Sequence, residues 1–174
     1  MSTEPSLPEN LKPGLFESAE DVRQMLRQAL LLAAEHGGRE LCWLDADFSG
    51  WPLSDAALLN GLHRWALPHR QLRLLAAHDY ETVRRVHPRF VQWRQLHDHV
   101  VRAHAYDPAD LGERSTPAPQ ALLLAPGLLT VKVWTPSRAS LSLRDAREEA
   151  MAHEWFDAIE QRSTASFASS TLGL

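Results

Sequence analysis

Apolar residues recur at helical spacing in two N-terminal segments, and each segment is followed by a short apolar run. After Ser18, a typical N-cap residue, residues 22–33 place their apolar side chains on one helical face. Residues 40–45 predict a buried strand, residues 58–66 a second helix and residues 71–76 a second strand. This strand–helix–strand order predicts a parallel pair joined by a crossover helix.

Proline and turn residues divide the second half of the chain into shorter elements. Pro88 fits the first turn of a helix because it has no N–H to donate, and it disfavours helical geometry at His87. We therefore predict that residues 79–102 form two helical pieces broken at His87-Pro88. Three strands, the last two forming a hairpin, and a final helix are predicted after it, over residues 103–106, 120–124, 128–135 and 144–161.

Together these elements predict one α/β domain, with a mixed, mostly parallel sheet of about five strands and helices on both faces. The segment 1–14 contains three prolines and is predicted to be a flexible arm. Residues 15–162 are predicted to form the domain, and the serine- and threonine-rich residues 163–174 a flexible tail. A length of 174 residues with 44% hydrophobic residues fits one globular unit.

The sequence also predicts where the protein is found. No apolar run approaches the ~20 residues of a membrane span, and the N-terminus lacks the basic and apolar segments of a signal peptide. We therefore expect a cytoplasmic protein without a membrane span. The single cysteine, Cys42, lies within an apolar run, which predicts a buried core residue rather than a nucleophile.

Charge is unevenly distributed along the chain, although the net charge is only −4. Residues 61–104 hold 8 arginines and 3 acids, whereas the segments on either side are acidic. Such a basic region can bind a small anion, nucleic acid or acidic phospholipid, or it can pair with the acidic flanks of the same chain or of a second copy. No aromatic residues are interleaved on the same face, so nucleic acid is the less favoured partner. The densest cluster consists of Arg84, Arg85, Arg89 and Arg94.

Two aspartates, Asp45 and Asp47, come at the end of the first predicted strand, where open α/β sheets place their ligands. Such carboxylates can hold Mg²⁺ or divide nucleophilic and acid–base roles. Residues 44–50 resemble the first motif of haloacid-dehalogenase phosphatases, a family that also needs a later lysine and a downstream acidic pair. Lys132 is the only late lysine, it lies in a predicted strand, and no such acidic pair follows.

Nine histidines raise the question of a metal site. His97 and His99 point in different directions from a predicted helix, and His97 and His104 lie about 10 Å apart along it. The segment His153-Glu-Trp-Phe-Asp157 resembles the helical zinc-peptidase motif, but an aspartate replaces its second histidine and no third ligand is evident. We therefore expect no metal and no cofactor.

The layout of residues 16–139 resembles one half of the phospholipase D superfamily, in which helices and strands in this order lead to a hairpin. In that family the hairpin carries His-x-Lys and an acid five residues after the lysine. On this chain the three positions hold Ala118, Gln120 and Ala125. The layout is also similar to that of uncharacterised proteobacterial domains with the same degenerate hairpin, some of them found beside acetyltransferase domains.

The resemblance implies a fold and argues against the parent activity, because an alanine cannot form the phospho-enzyme that a histidine forms. It also implies a homodimer, since the parent fold brings two halves together. The preferred interpretation is therefore a non-catalytic α/β domain that binds a protein partner or a small anionic ligand. The alternatives are a Mg²⁺-dependent phosphatase-like hydrolase that uses Asp45 and Asp47, and weak binding of nucleic acid or acidic lipid through the Arg84–Arg94 region.

Overall fold

A computed structural model describes residues 11–112 and 118–169, and these residues form helices packed on a single sheet. The α-helices are α1 Ala19–His36, α2 Ala56–Trp65, α3 Glu81–Val86, α4 Pro88–Leu96 and α5 Ala146–Gln161. The strands are β1 Gly14–Phe16, β2 Glu40–Asp45, β3 Gln71–Ala77, β4 Val101–Tyr106, β5 Ala121–Ala125, β6 Leu129–Thr135, β7 Arg138–Leu143 and β8 Thr164–Ala165. Short 3₁₀ turns cover Asp98–Val100 and Pro108–Leu111.

The sheet has the strand order β1-β7-β6-β5-β2-β3-β4-β8. Among these pairings β2–β3 and β3–β4 are parallel, and the others are antiparallel. The parallel pair with its crossover helix is confirmed, as is the α/β class. The prediction of about five mostly parallel strands is wrong, because the sheet has eight strands and is mostly antiparallel.

The three strands that the sequence analysis did not identify explain this difference. β1 and β8 have only three and two residues and pair with partners far along the chain, so local pattern gives no signal for them. β7 is different, because Ala139 and Leu141 are buried while their neighbours are not. That alternation is the usual mark of a strand with one buried face, and it extends the predicted hairpin into a third antiparallel strand.

Side chains from opposite faces of the sheet enter two separate cores. In β2, Leu41 and Trp43 belong to the larger core under α1, α2 and α4, whereas Cys42 and Leu44 belong to a smaller core under α5. This alternation follows from the two-residue period of a strand, and it places helices on both faces of the sheet. The predicted burial of Cys42 is confirmed. Trp51, which lies in a loop, is also buried and packs against Trp43.

The helix boundaries follow from capping residues and from proline. Ser18 caps α1 by accepting the Asp21 N–H, and Asp145 caps α5 in the same way. The predicted break between two helical pieces is confirmed, because α3 ends at Val86 and Pro88 begins α4. His87 between them has φ −124° and ψ 60°, which is outside helical geometry.

Packing continues beyond residue 162, where the sequence analysis placed the end of the domain. Residues 164–165 pair with β4, and Phe167 is buried with its ring stacked 4.7 Å from that of Tyr80. At the other end Leu11, assigned to the arm, is buried as well. Residues 1–10 of the predicted arm and residues 170–174 of the predicted tail lie outside the described residues. Across 11–112 and 118–169, none of the helices has both the length and the hydrophobicity to cross a bilayer.

Candidate functional site

Each of the three parallel strands is followed by an aspartate at its carboxyl end. Asp45 ends β2, Asp79 lies two residues after β3 and Asp107 directly follows β4. Carboxylates at such an edge commonly bind ligands, but here all three are engaged by nearby backbone. Asp45 accepts hydrogen bonds from the backbone N–H groups of Asp47 and Phe48, at 3.1 and 2.7 Å. Asp79 accepts one from Glu81 and Asp107 one from Ala109, both at 3.0 Å.

Asp45 and Asp47, the predicted phosphatase pair, therefore cap their own loop. Burial raises the pKa of Asp45, and Asp47 accepts a hydrogen bond from the backbone of Ser49 at 2.9 Å. The Lys132 ammonium lies 2.8 Å from a carboxylate oxygen of Glu148 on α5, so the one late lysine forms an ion pair elsewhere. The geometry gives the two aspartates a clear structural task, which is to shape the loop between β2 and α2.

The three positions aligned with the phospholipase D motif lie on and just before β5. Ala118 and the exposed Gln120 line a surface depression of about 470 Å³ together with Leu15, Trp134 and Arg138. Ala125 is fully buried at the far end of β5. An acid placed at residue 125 would have to be desolvated, so the motif could not be restored by substitution without a cost in stability.

The predicted arginine cluster separates into two pairs. Arg94 is buried, donates to the carbonyl oxygen of Phe167 and forms a 2.6 Å ion pair with Asp98. Arg84 donates to the carbonyl of Ala168, and both guanidinium groups lie over the Phe167 ring. These two arginines hold the segment after β8 against the domain. The remaining pair, Arg85 and Arg89, is exposed and has no ion pair with any described residue.

A second polar cluster lies at the amino ends of the same strands, on the face covered by α5. Its centre is Arg73 in β3, whose side chain is buried. The guanidinium donates twice to Glu160, at 2.9 and 3.0 Å, once to Asp157 at 2.6 Å, and once to Glu40 at 3.3 Å. It also lies 4.9 Å from the centre of the Phe156 ring. Such a network is costly to bury and is tolerated because every charge has a partner.

Three potential metal ligands meet at one side of this cluster. Glu40 Oε1 lies 3.1 Å from the Cys42 sulfur and 2.7 Å from His153 Nε2, and the three donor atoms are within 4.8 Å of one another. Burial and the neighbouring Glu40 raise the pKa of the Cys42 thiol. Burial also opposes ionisation of Glu40, but hydrogen bonds from Cys42 and His153 hold the pKa of that carboxylate below its ordinary value.

Three histidines at the surface, His63, His97 and His99, form a smaller group between α2 and the end of α4. His63 Nδ1 lies 3.0 Å from His97 Nε2, and the ring of His99 is 6.2 Å from that of His97. Because residues 98–100 form a 3₁₀ turn rather than the predicted α-helix, the rings of His97 and His99 lie closer together than a helix would place them. Burial and the two neighbouring imidazoles lower the pKa of His97.

Sequence reasoning identified His153 and Asp157 but missed their partners. Glu40, Arg73 and Glu160 come from three different elements, and no local pattern connects them. One signal was available, because Arg73 stands within a strand whose neighbours are apolar. A charge at a buried strand position needs an opposite charge on the element that covers it.

Comparison with known proteins gives a fold rather than a sequence family. No protein-family model matches the sequence, and no curated protein is similar to it at a significant level. Solved structures do match. One is NucT from Helicobacter pylori, with a TM-score of 0.58 and 9% identity over 88% of this chain and 98% of NucT. Another is the phosphatidylserine synthase of Haemophilus influenzae Rd KW20, with a TM-score of 0.55 and 11% identity over 95% of this chain and 42% of the synthase.

A third similar structure is TrmBL2, an archaeal chromatin protein that shows a novel mode of DNA binding. Its TM-score is 0.57 at 11% identity, over 90% of this chain and 56% of TrmBL2. NucT and the phosphatidylserine synthase are phospholipase D-like proteins, so the expected resemblance is confirmed for the fold. At these identities the likeness concerns the fold alone.

Proposed function

We propose that this chain, which has a phospholipase D-like fold, is a non-hydrolytic domain that works by binding a protein partner. The observation that carries the proposal is the set of residues at the aligned motif positions, Ala118, Gln120 and Ala125. They offer no nucleophile, no phosphate-binding lysine and no acid, and phosphoryl transfer through a phospho-enzyme needs the nucleophile. The hydrolytic alternative at Asp45 lacks support from Lys132, which is paired with Glu148.

The negative charge at the carboxyl ends of the parallel strands favours a protein over a small anion as the ligand. Asp45, Asp79 and Asp107 follow the three parallel strands and repel a phosphate there. The depression beside Gln120 is bordered instead by Leu15, whose side chain is 60% exposed, and by Trp134. An exposed apolar side chain beside a tryptophan is typical of a protein contact. We infer that the partner is a second copy of this chain, which supplies the half that the fold otherwise lacks.

An enzymatic assay tests the first part. Purified protein is incubated with bis(4-nitrophenyl) phosphate and with 4-nitrophenyl phosphate, with and without Mg²⁺, and we expect no release of nitrophenol above the buffer rate. Turnover that disappears in Asp45→Asn would overturn the proposal in favour of the phosphatase-like hydrolase. Turnover that disappears in Gln120→Ala would instead show that the degenerate motif is active.

Light scattering over a concentration series tests the second part. We expect a mass of twice 19.6 kDa in ~0.15 M salt, and we expect Leu15→Lys to weaken association at least tenfold. Leu96→Lys is the matched control, because Leu96 is 74% exposed on α4 and lies outside the proposed contact. A monomer at every concentration would remove the homodimer, and equal effects of the two variants would move the contact elsewhere.

A second candidate function is nucleic-acid binding, which the structural similarity to the DNA-binding protein TrmBL2 suggests. Only Arg85 and Arg89 of the predicted cluster remain exposed and unpaired among the described residues, so we expect weak, salt-sensitive binding at most. Fluorescence anisotropy with a labelled duplex would measure it. Arg85→Glu with Arg89→Glu should abolish any binding, whereas the exposed Arg39→Glu should not.

A further inference from the structure

The cluster of Glu40, Cys42 and His153 is not used by the proposed binding function. It lies at the amino end of β2, away from Ala118 and Gln120, and it is formed by residues from β2 and α5. Its donors are a thiol, an imidazole and a carboxylate, and the donor atoms lie within 4.8 Å of one another. These three donor types are the ones that zinc sites in proteins use.

The donors converge on a single point. Glu40 Oε1 stands between the Cys42 sulfur at 3.1 Å and His153 Nε2 at 2.7 Å, where it accepts hydrogen bonds. A cation bound at this point would replace those hydrogen bonds by coordination bonds. Small rotations of Glu40 and His153 would admit it, since both side chains are only half-buried.

The histidine also has the orienting partner that metal-bound histidines usually have. His153 Nδ1 lies 3.1 Å from Asp157 Oδ2, one helical turn further along α5. Asp157 in turn accepts a 2.6 Å hydrogen bond from Arg73. A carboxylate that accepts the Nδ1–H fixes the ring with Nε2 free for a metal, and its own anchoring by Arg73 keeps it in place.

The charged side chains around these three donors have a negative sum, which favours the binding of a divalent cation. Arg73 and Arg102 supply two positive charges, and Glu40, Asp157 and Glu160 supply three negative ones. The nearest cation is Arg73, but its guanidinium is committed to Glu160 and Asp157, and its contact with Glu40 is the longest of its carboxylate contacts. A divalent ion bound by the Cys42 thiolate and by neutral His153 would bring these charges to neutrality.

A path from solvent is available along α5. An open groove of about 740 Å³ is lined by Glu149, His153 and Asp157 of α5 and by Pro126 between β5 and β6. The cysteine is buried beneath these residues, so an ion would enter past the histidine and leave its remaining coordination position toward the groove.

We propose that Glu40, Cys42 and His153 form a zinc-binding site, with Asp157 as the residue that positions His153. The thiolate favours Zn²⁺ over Mg²⁺ or Ca²⁺, which prefer oxygen ligands alone. On binding, the Cys42 thiol and Nε2 of His153, which both donate to Glu40 when no ion is bound, give their protons to solvent. Nε2 then coordinates the ion, and the ring keeps its N–H on Nδ1 for Asp157.

The experiment uses full-length protein treated with a chelator and then titrated with Zn²⁺ and, separately, with Co²⁺ as a spectroscopic probe. We expect one Zn²⁺ per chain and, with Co²⁺, a thiolate-to-cobalt charge-transfer band in the near ultraviolet. Cys42→Ser should remove this band, and His153→Gln should weaken Zn²⁺ binding at least tenfold. The exposed His69→Gln is the matched control and should change neither quantity.

Three results would overturn the proposal. The first is the absence of Zn²⁺ binding, and the second is Co²⁺ binding without a thiolate band. The third is binding that survives Cys42→Ser and His153→Gln but is lost in His63→Gln with His97→Gln, which would assign the ion to the exposed histidine pair. Because His153 is half-buried, His153→Gln remains informative if Cys42→Ser fails to fold.

Discussion

The two ends of the parallel strands satisfy their charged side chains in different ways. At the carboxyl ends, Asp45, Asp79 and Asp107 accept hydrogen bonds from backbone two or three residues ahead of them. At the amino ends, Arg73 finds its partners in Glu40, 33 residues away, and in Glu160, 87 residues away. The first arrangement is local, and it is exposed at Asp79 and Asp107, whereas the second is long-range and buried.

This difference decides how much each end contributes to stability. A local cap replaces a hydrogen bond to water, so its net contribution is about 1 kcal/mol. A buried ion pair gives little net stabilisation when complete, but the loss of one partner leaves an unpaired charge away from water. The amino end should therefore be far more sensitive to single substitutions than the carboxyl end, although both carry several charges.

The largest effect is expected for Arg73→Met, which leaves Glu160 buried and without its partner in β3. We predict a loss of about 3–5 kcal/mol in the free energy of unfolding, measured by chemical denaturation. Arg102→Met is the control, because Arg102 also forms an ion pair with Glu160 but its side chain is half-exposed. Its loss should cost about 1 kcal/mol or less. The double variant Arg73→Met with Glu160→Leu should recover most of the loss, and equal effects of the two single variants would contradict the comparison.

A similar long-range contact in the arginine-rich segment gives the next effect. Phe167 is buried, stacks on Tyr80 and lies under the guanidinium groups of Arg84 and Arg94. We predict that Phe167→Ala costs about 3 kcal/mol, since it removes a buried aromatic ring. Thermal and chemical unfolding measure this. Limited proteolysis should then cut after residue 162 in the variant and not in the native chain, and equal protection of both would show that the segment is held without its ring.

The same distinction between local and long-range contacts separates what the sequence predicts from what it does not. Helix starts at Ser18 and Pro88 and the first two parallel strands follow from caps, proline geometry and apolar period, all of which act over a few residues. The strand pairings of β1 and β8 and the partners of Arg73 depend on residues that meet only after folding. The predicted Arg84–Arg94 cluster shows the same limit, because its spacing was visible but its contact with Phe167 was not.

A smaller effect is expected at the carboxyl ends, where the caps are local. We predict that Asp79→Ala and Asp107→Ala each lower the free energy of unfolding by about 1 kcal/mol. Both side chains are exposed and each accepts one backbone N–H, from Glu81 and Ala109 respectively. Chemical denaturation checks this, and a loss approaching that of Arg73→Met at either position would show that the carboxyl end also depends on long-range contacts.

The smallest effect, and the most specific, concerns two capping aspartates whose pKa values move in opposite directions. Burial raises the pKa of Asp45. Burial opposes ionisation of Asp55 as well, but hydrogen bonds from Arg27 and from the first turn of α2 lower the pKa of that carboxyl. Asparagine keeps an acceptor oxygen at either position and cannot ionise, so each Asp→Asn variant isolates the contribution of the charge.

The sign follows from proton linkage. Native Asp45 holds its proton to a higher pH than the unfolded chain does, so the native protein loses stability as pH rises from about 3.8 through the raised pKa. Asp45→Asn does not undergo this loss, so its stability relative to the wild-type protein should rise over that pH window and then stay constant.

Asp55 has the opposite dependence, since its stabilisation is present above pH about 3.8 and is lost as pH falls through the lowered pKa. Asp55→Asn should therefore be destabilising near neutral pH and approach the native protein in acid. Unfolding curves measured from acid to neutral pH would show both trends, and parallel profiles for the two variants would mean that burial does not distinguish the two carboxylates.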